Sequence, residues 1–144
     1  MTQEEKELLA KDIFSRAMCG LKVQYHGEIY TLGYNLYLEE SSTAFESYPM
    51  KCFLSKIEEI KPYLRPMSSM TEEERNDFED ESHGWFYVND DGEIYPIGQF
   101  TDSGEFEDGI LGGIEYLNKN HFDYRGLIHR ELALEAPEDM YKTK

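Results

Sequence analysis

Hydrophobic positions recur with a helical period at the start of the chain. Leu9, Ala10, Ile13, Phe14, Ala17 and Met18 share one face at three- and four-residue spacing. Thr2 with Glu5 forms a capping box, in which hydroxyl and carboxylate each take an early backbone N–H. Gly20 stands where a left-handed cap belongs. Together these predict a helix from Gln3 to Cys19.

The period then changes to two. Leu21, Val23 and Tyr25 alternate with polar residues, and so do Tyr30, Leu32, Tyr34, Leu36 and Leu38 after His26-Gly27. If His26-Gly27 is a two-residue loop, Val23 faces Tyr30 and Leu21 faces Leu32, so the apolar sets meet on one face; His26 is a less usual choice for the second positive φ, and a longer turn is the alternative. Residues 39–49 read as a polar connection. Met50–Ile60 reads as a third strand, and Pro62 and Pro66 are expected to break regular structure around Tyr63-Leu64-Arg65. Thr71 with Glu74 is a second capping box, opening a helix of two to three turns toward Ser82. Trp85–Val88, the turn Asn89-Asp90-Asp91-Gly92 and Ile94–Ile97 read as a hairpin, with Pro96 confining the return strand to an edge or an end. Gly98–Gly109 reads as a flexible acidic loop. Ile110, Ile114, Leu117 and His121 mark a last helical stripe ending near Asn120, its first turn weakened by Gly112 and Gly113. Residues 122–137 show no clear period. The expectation is an α+β fold in a single compact domain over 1–144. An N-terminal helix packs on a small, mostly antiparallel sheet with two further helices, and 76–110 form an acidic insert-like segment. Leu9, Ile13, Ala17, Val23, Leu32, Leu36, Ile114 and Leu117 are the expected core.

Composition sharpens this picture through charge. The 144 residues hold 30 acidic and 14 basic side chains, for a net charge of −16. Residues 72–108 hold 14 acids against Arg75 alone, a net of −13. Such a surface excludes a general nucleic-acid binder, which needs a Lys/Arg surplus to neutralise phosphates. It is open to three readings: a solubilising face, a docking face for a basic protein, or a mimic of the DNA phosphate array that acts as an inhibitor. Glu72, Glu73, Asp77, Asp80, Asp90, Asp91, Asp102, Glu105, Glu107 and Asp108 form the candidate interaction surface. An aromatic share of 14% argues against disorder. No apolar run reaches the roughly 18 residues of a membrane span, and the acidic opening MTQEEKELLAKD is not a signal-peptide pattern. With two cysteines, Cys19 and Cys52, and no CxxC pair, a reduced cytoplasmic protein is expected.

Candidate chemistry is sparse. Placing Gly92 at position six of an EF-hand loop puts Tyr87 and Gly98 at positions one and twelve, where carboxylates belong, so that pattern fails. An irregular Ca²⁺ site among Asp102, Glu105, Glu107 and Asp108 is a weaker reading. His26, His83, His121 and His129 form no HExxH or HxH arrangement, and no glycine-rich phosphate cradle occurs. His121, Asp123 and Arg125 offer a general-base pair with a cation, the basis of an alternative enzyme or metal-dependent reading. His121 also falls on the apolar stripe, and a packed, hydrogen-bonded core-edge histidine is the preferred reading. Tyr63 with Arg65, and Tyr124 with Arg125, are arginine–aromatic pairs, residue types common both in interfaces and as structural anchors. No catalytic residue, metal or cofactor is assigned.

The stretches IEEIKPYLRPMSSMTEEER and YLNKNHFDYRGLIHRELALEAPEDMY, with the opening MTQEEKELLAKD, resemble a family of short proteins of gut anaerobes. Its members sit in prophage-like or mobile-element neighbourhoods. The likeness is most specific over 61–74 and 118–128. The chain departs from the family after Ser15, across 76–110, and at Glu131 and Asp139, where relatives place glycines. The family is uncharacterised, so the resemblance implies no activity, substrate or cofactor. The preferred expectation is a small acidic cytoplasmic interaction or regulatory protein with a basic protein partner, no nucleic acid and no membrane. A homo-oligomer is the remaining alternative.

Overall fold

Both capping boxes form. The Thr2 hydroxyl accepts from the Glu5 amide and the Glu5 carboxylate accepts from the Thr2 amide; Thr71 and Glu74 repeat the pattern. The computed structural model describes residues 1–16, 19–32, 38–40, 57–97 and 103–141, with backbone alone for 38–40 and 103–106. In chain order the elements are α1 (Gln3–Ser15), β1 (Lys22–Tyr25), β2 (Glu28–Leu32), β3 (Leu38–Glu40), β4 (Ile60–Pro66), α2 (Glu72–Glu81), β5 (Phe86–Val88), β6 (Ile94–Pro96), α3 (Ser103–Lys119), β7 (Phe122–Asp123) and β8 (Leu134–Glu135). The class is α+β, as the patterning predicts. The chain divides into two compact units, Met1–Leu64 with Arg125–Lys144, and Arg65–Tyr124.

In the first unit, β1 and β2 pair antiparallel with Val23 opposite Tyr30 and Tyr25 opposite Glu28, the expected register. His26 (φ 50°) and Gly27 (φ 79°) both take left-handed backbone, so the loop is the two-residue type that matches strand twist. β3 pairs with β2 and β4 with β1, both antiparallel, and β8 runs parallel to β4. Leu9 and Ile13 of α1 pack with Leu21, Val23, Tyr25, Leu32, Ile57, Ile60, Leu64, Leu127 and Leu132. The helix is shorter than expected: it ends at Ser15, with Arg16 as its C-cap. Ala17, Met18 and Leu36 lie outside the described residues, as do Cys52 and most of the expected third strand. Ile57–Glu59 form a 3₁₀ turn and the strand begins at Ile60.

Pro62 and Pro66 were expected to interrupt structure, yet both lie within β4. The register explains this. The ladder to β1 ends at Val23–Pro62 and the ladder to β8 begins at Tyr63–Leu134. A missing N–H is tolerated at such a changeover, and Pro66 is the last strand residue. The C-terminal end of the chain's tail is held by bonds from Ala136 and Tyr141. The Ala136 amide donates to the Leu64 carbonyl at 2.8 Å. The Tyr141 hydroxyl accepts from the Lys22 amide at 2.9 Å and lies 2.7 Å from the Tyr63 carbonyl. Burial pushes that phenol up.

One ionic cluster is enclosed in this unit. Asp12 and Arg16, one helical turn apart, are both fully buried. Arg16 Nε and Nη2 each reach the Asp12 carboxylate at 3.0 Å, and Arg125 Nη1 reaches Asp12 Oδ1 at 2.7 Å and Ser15 Oγ at 3.2 Å. One carboxylate thus serves two guanidinium groups. Asp12→Ala leaves the buried Arg16 without that counter-charge and should cost about 3–5 kcal/mol, read from chemical denaturation; a loss below about 1 kcal/mol, the scale of an exposed pair, would contradict the enclosed geometry.

In the second unit, Arg65 and Pro66 pair in parallel with Phe122 and Asp123 of β7. β5 and β6 form a separate antiparallel hairpin. Met70, Phe78, Val88, Leu117 and Phe122 make the core. Residues 103–109, expected as a loop, are helical. The glycines that suggested flexibility face α2 instead. A Cβ at Gly109 would stand 2.5 Å from the Ser82 carbonyl oxygen, one at Gly112 would overlap the Glu81 carbonyl oxygen, and one at Gly113 would press on the Phe78 ring at 3.1 Å. Bare Cα atoms let α3 close over the last carbonyls of α2. Ile114 was expected in the core but is 38% exposed, because the glycine face occupies the buried side and turns Leu111 and Ile114 outward. Gly112→Ala, which would gain about 1 kcal/mol in an exposed helix, should here lower the melting temperature; a rise would show that the two helices are not in backbone contact.

Candidate functional site

The acidic residues concentrate in the second unit, which also exposes Tyr87 and Tyr95. Arg65–Tyr124 holds 16 acidic residues against Arg65, Arg75 and Lys119, a net of −13. α2 supplies seven of those acids in ten residues. Its buried side is Phe78; Glu72, Glu73, Asp77 and Asp80 are exposed, with 73, 77 and 80 stacked along one face. Asp90 and Asp91 are exposed at the hairpin tip, and Glu107 and Asp108 on α3. Asp102 and the Glu105 side chain lie outside the described residues. No group of three or more His, Cys, Asp or Glu side chains placed to hold a metal occurs among the described residues.

The hairpin is built by its turn. Asn89 Oδ1 accepts from the amides of Asp91 and Glu93, each at 2.9 Å, and the Gly92 amide donates to the Asn89 carbonyl at 3.0 Å. Ser82, fully buried, takes the Phe86 amide on its hydroxyl at 3.2 Å and anchors the start of β5. Val88 faces the core and is 4% exposed. Strand alternation sends Tyr87 and its cross-strand partner Tyr95 to the other face, followed by Ile97. The two tyrosine rings stack with centroids 5.6 Å apart and planes 24° from parallel. Tyr87 and Tyr95 are each 39% exposed. The Tyr95 hydroxyl donates to Glu93 Oε2 at 3.0 Å, and that bond and the carboxylate charge raise the phenol above its ordinary value. The Arg75 guanidinium lies 3.3 Å from Asp90, whose side chain is almost fully exposed.

The expected motif residues take other roles. Arg65 holds Glu74 through two bonds of 2.7 and 2.8 Å, and its guanidinium lies 4.2 Å from the centre of the Phe122 ring. Burial works against the charged form of Glu74, but Arg65 and the Thr71 bonds outweigh it and hold the carboxyl below its usual range. Burial pushes the nearby Tyr116 phenol up to about 12, with Glu74 and Asp77 adding to the effect. His121 and Asp123 are buried, and the His121 carbonyl accepts the Arg65 amide at 2.8 Å. Tyr124 donates to Asn118 Oδ1 at 2.8 Å. Tyr63 is half-buried, and Arg125 is engaged by Asp12. These residues serve as anchors. The exposed pair that sequence reasoning passed over, Tyr87 and Tyr95, was marked by the turn at Asn89–Gly92, whose register sets them opposite.

Comparison with protein-family models, with curated proteins and with solved structures found no match of any of the three kinds. No helix among the described residues is long and apolar enough to cross a membrane.

The uneven charge has a measurable consequence. Raising salt from about 0.01 to 0.1 M shortens the Debye length from about 30 to 10 Å and should raise the melting temperature by screening repulsion within the acidic unit. Millimolar Ca²⁺ should add nothing beyond its ionic strength. A Ca²⁺-specific gain would reveal a metal site through linkage of binding to folding.

Proposed function

We propose that this protein is a small acidic interaction module whose second unit docks a basic protein partner. The observation that carries this reading is the stacked Tyr87–Tyr95 pair, exposed on a hairpin whose turn end carries the exposed residues Asp91 and Glu93. A solubilising surface has no need of exposed aromatic rings, whereas interfaces are enriched in tyrosine and draw their encounter rate from complementary charge. The buried positions of His121 and Asp123 and the engagement of Arg125 by Asp12 favour binding over the enzyme reading. With the likeness to proteins of mobile-element neighbourhoods, the reading is of a cytoplasmic regulator acting by contact.

Affinity capture from the native cell, run in parallel with the wild type and an Asp90→Lys, Asp91→Lys, Glu93→Lys variant, tests it. The captured protein should be basic, should be lost in the variant and should elute with salt. A capture set unchanged by the variant would overturn the reading.

A further inference from the structure

We infer that the outer face of the β5–β6 hairpin is an arginine-reading platform, docking an extended arginine-bearing segment of the partner by its side chains. The inference rests on the interaction reading above and names the partner's chemistry.

The geometry of the hairpin first decides how a segment can approach. The Ile97 amide donates to the Trp85 carbonyl and the Asn89 amide to the Glu93 carbonyl. Hydrogen-bonded pairs alternate along an antiparallel ladder, so the backbone groups of Tyr95 also face β5, and those of Ile94 and Pro96 face away. Pro96 has no N–H. The outer edge of β6 therefore offers a single amide, at Ile94, too little for an added strand. On the outer edge of β5 the Phe86 amide and carbonyl are already bonded to the Ser82 hydroxyl, so the face is the surface left to a partner.

That face has two components. The near-parallel rings of Tyr87 and Tyr95 present an aromatic surface, continued by Ile97. Carboxylates stand at its rim: Glu93, bonded to the Tyr95 hydroxyl, and the exposed Asp91 at the turn. A guanidinium is planar, stacks on aromatic rings and can form a two-pronged bond to a carboxylate at the same time. A lysine ammonium, compact and strongly hydrated, gains the charge and loses the stacking. The unit already shows this arrangement internally, where Arg65 lies against the Phe122 ring while gripping Glu74. Its net charge of −13 selects cationic segments in general; the tyrosine pair selects among them.

The test uses the full chain and two synthetic extended peptides, identical except that one carries arginine wherever the other carries lysine. Calorimetry at low salt should show the arginine peptide binding tighter by about threefold or more. Its arginine side-chain protons should shift upfield in NMR, the signature of stacking on a ring. Tyr87→Leu with Tyr95→Leu should remove the difference and the shift, bringing the two peptides to the same affinity. Tyr95→Phe, which keeps the ring, should retain both. Equal affinities of the two peptides, or a preference that survives the leucine variant, would overturn the inference and leave the interaction reading standing. Binding of neither peptide would overturn both. Should the leucine variant fail to fold, the upfield shift in the wild type decides: its absence on saturation with the arginine peptide overturns the inference.

Discussion

Every stabilising contact in the second unit is made against its own charge. Sixteen carboxylates and three basic side chains share Arg65–Tyr124, and each cation has a defined place. Arg65 grips Glu74 and covers Phe122, so it neutralises a partly buried carboxylate and packs on the core at once. Arg75 donates to the Met70 carbonyl ahead of α2 and lies beside Asp90. Lys119 stands in the last turn of α3, where a cation complements the helix dipole. Apart from Glu74, the buried Asp123 and the half-buried Glu79, the acids among the described side chains are exposed, and the apolar contacts among Met70, Phe78, Val88, Leu117 and Phe122 supply the attraction. With so few cations, and both arginines engaged, the outward field is left predominantly negative. This is the physical ground for a surface that favours cationic partners.

What was legible in the sequence was local chemistry. Thr2, Thr71 and the Asn89–Gly92 turn each act through bonds to near neighbours, so their residue types suffice, whereas the length of the His26-Gly27 turn was left open by its histidine. What was not legible depended on contacts distant along the chain. Pro62 looks like a breaker until two different ladders are seen to meet beside it. Gly109, Gly112 and Gly113 look like a loop until the carbonyls of α2 are seen against them. Asp12 and Arg16 escaped notice although they lie on the same helix face as Leu9 and Ile13, the phase that should be apolar. Charged residues in that phase were the available signal of a buried pair, with Arg125 supplied from 113 residues away.

The histidines carry a related lesson about the site. His26, His83 and His121 all take left-handed backbone, with φ of 50, 57 and 64°. His26 and His83 each precede a glycine that does the same. Their side chains drew attention as candidate acids, bases or ligands, yet their placement follows from backbone demands at turns, where histidine is several-fold enriched among non-glycine residues. The Tyr87–Tyr95 pair went the other way: ordinary strand residues by pattern, they become a surface only once register puts one ring against the other.

The first unit is assembled from two separated pieces of chain, and this sets an order of events during synthesis. The contiguous acidic unit is synthesised whole before any residue after Tyr124 is added. Until then the nascent β4 has no β8 beside it, Asp12 has no Arg125, and the Lys22 amide has no Tyr141 hydroxyl. The segment made first is therefore completed last. During that interval Leu9 and Ile13 lack the cover of Leu127 and Leu132, and the acidic segment already synthesised gives the unfinished chain a negative charge that discourages its association with other copies.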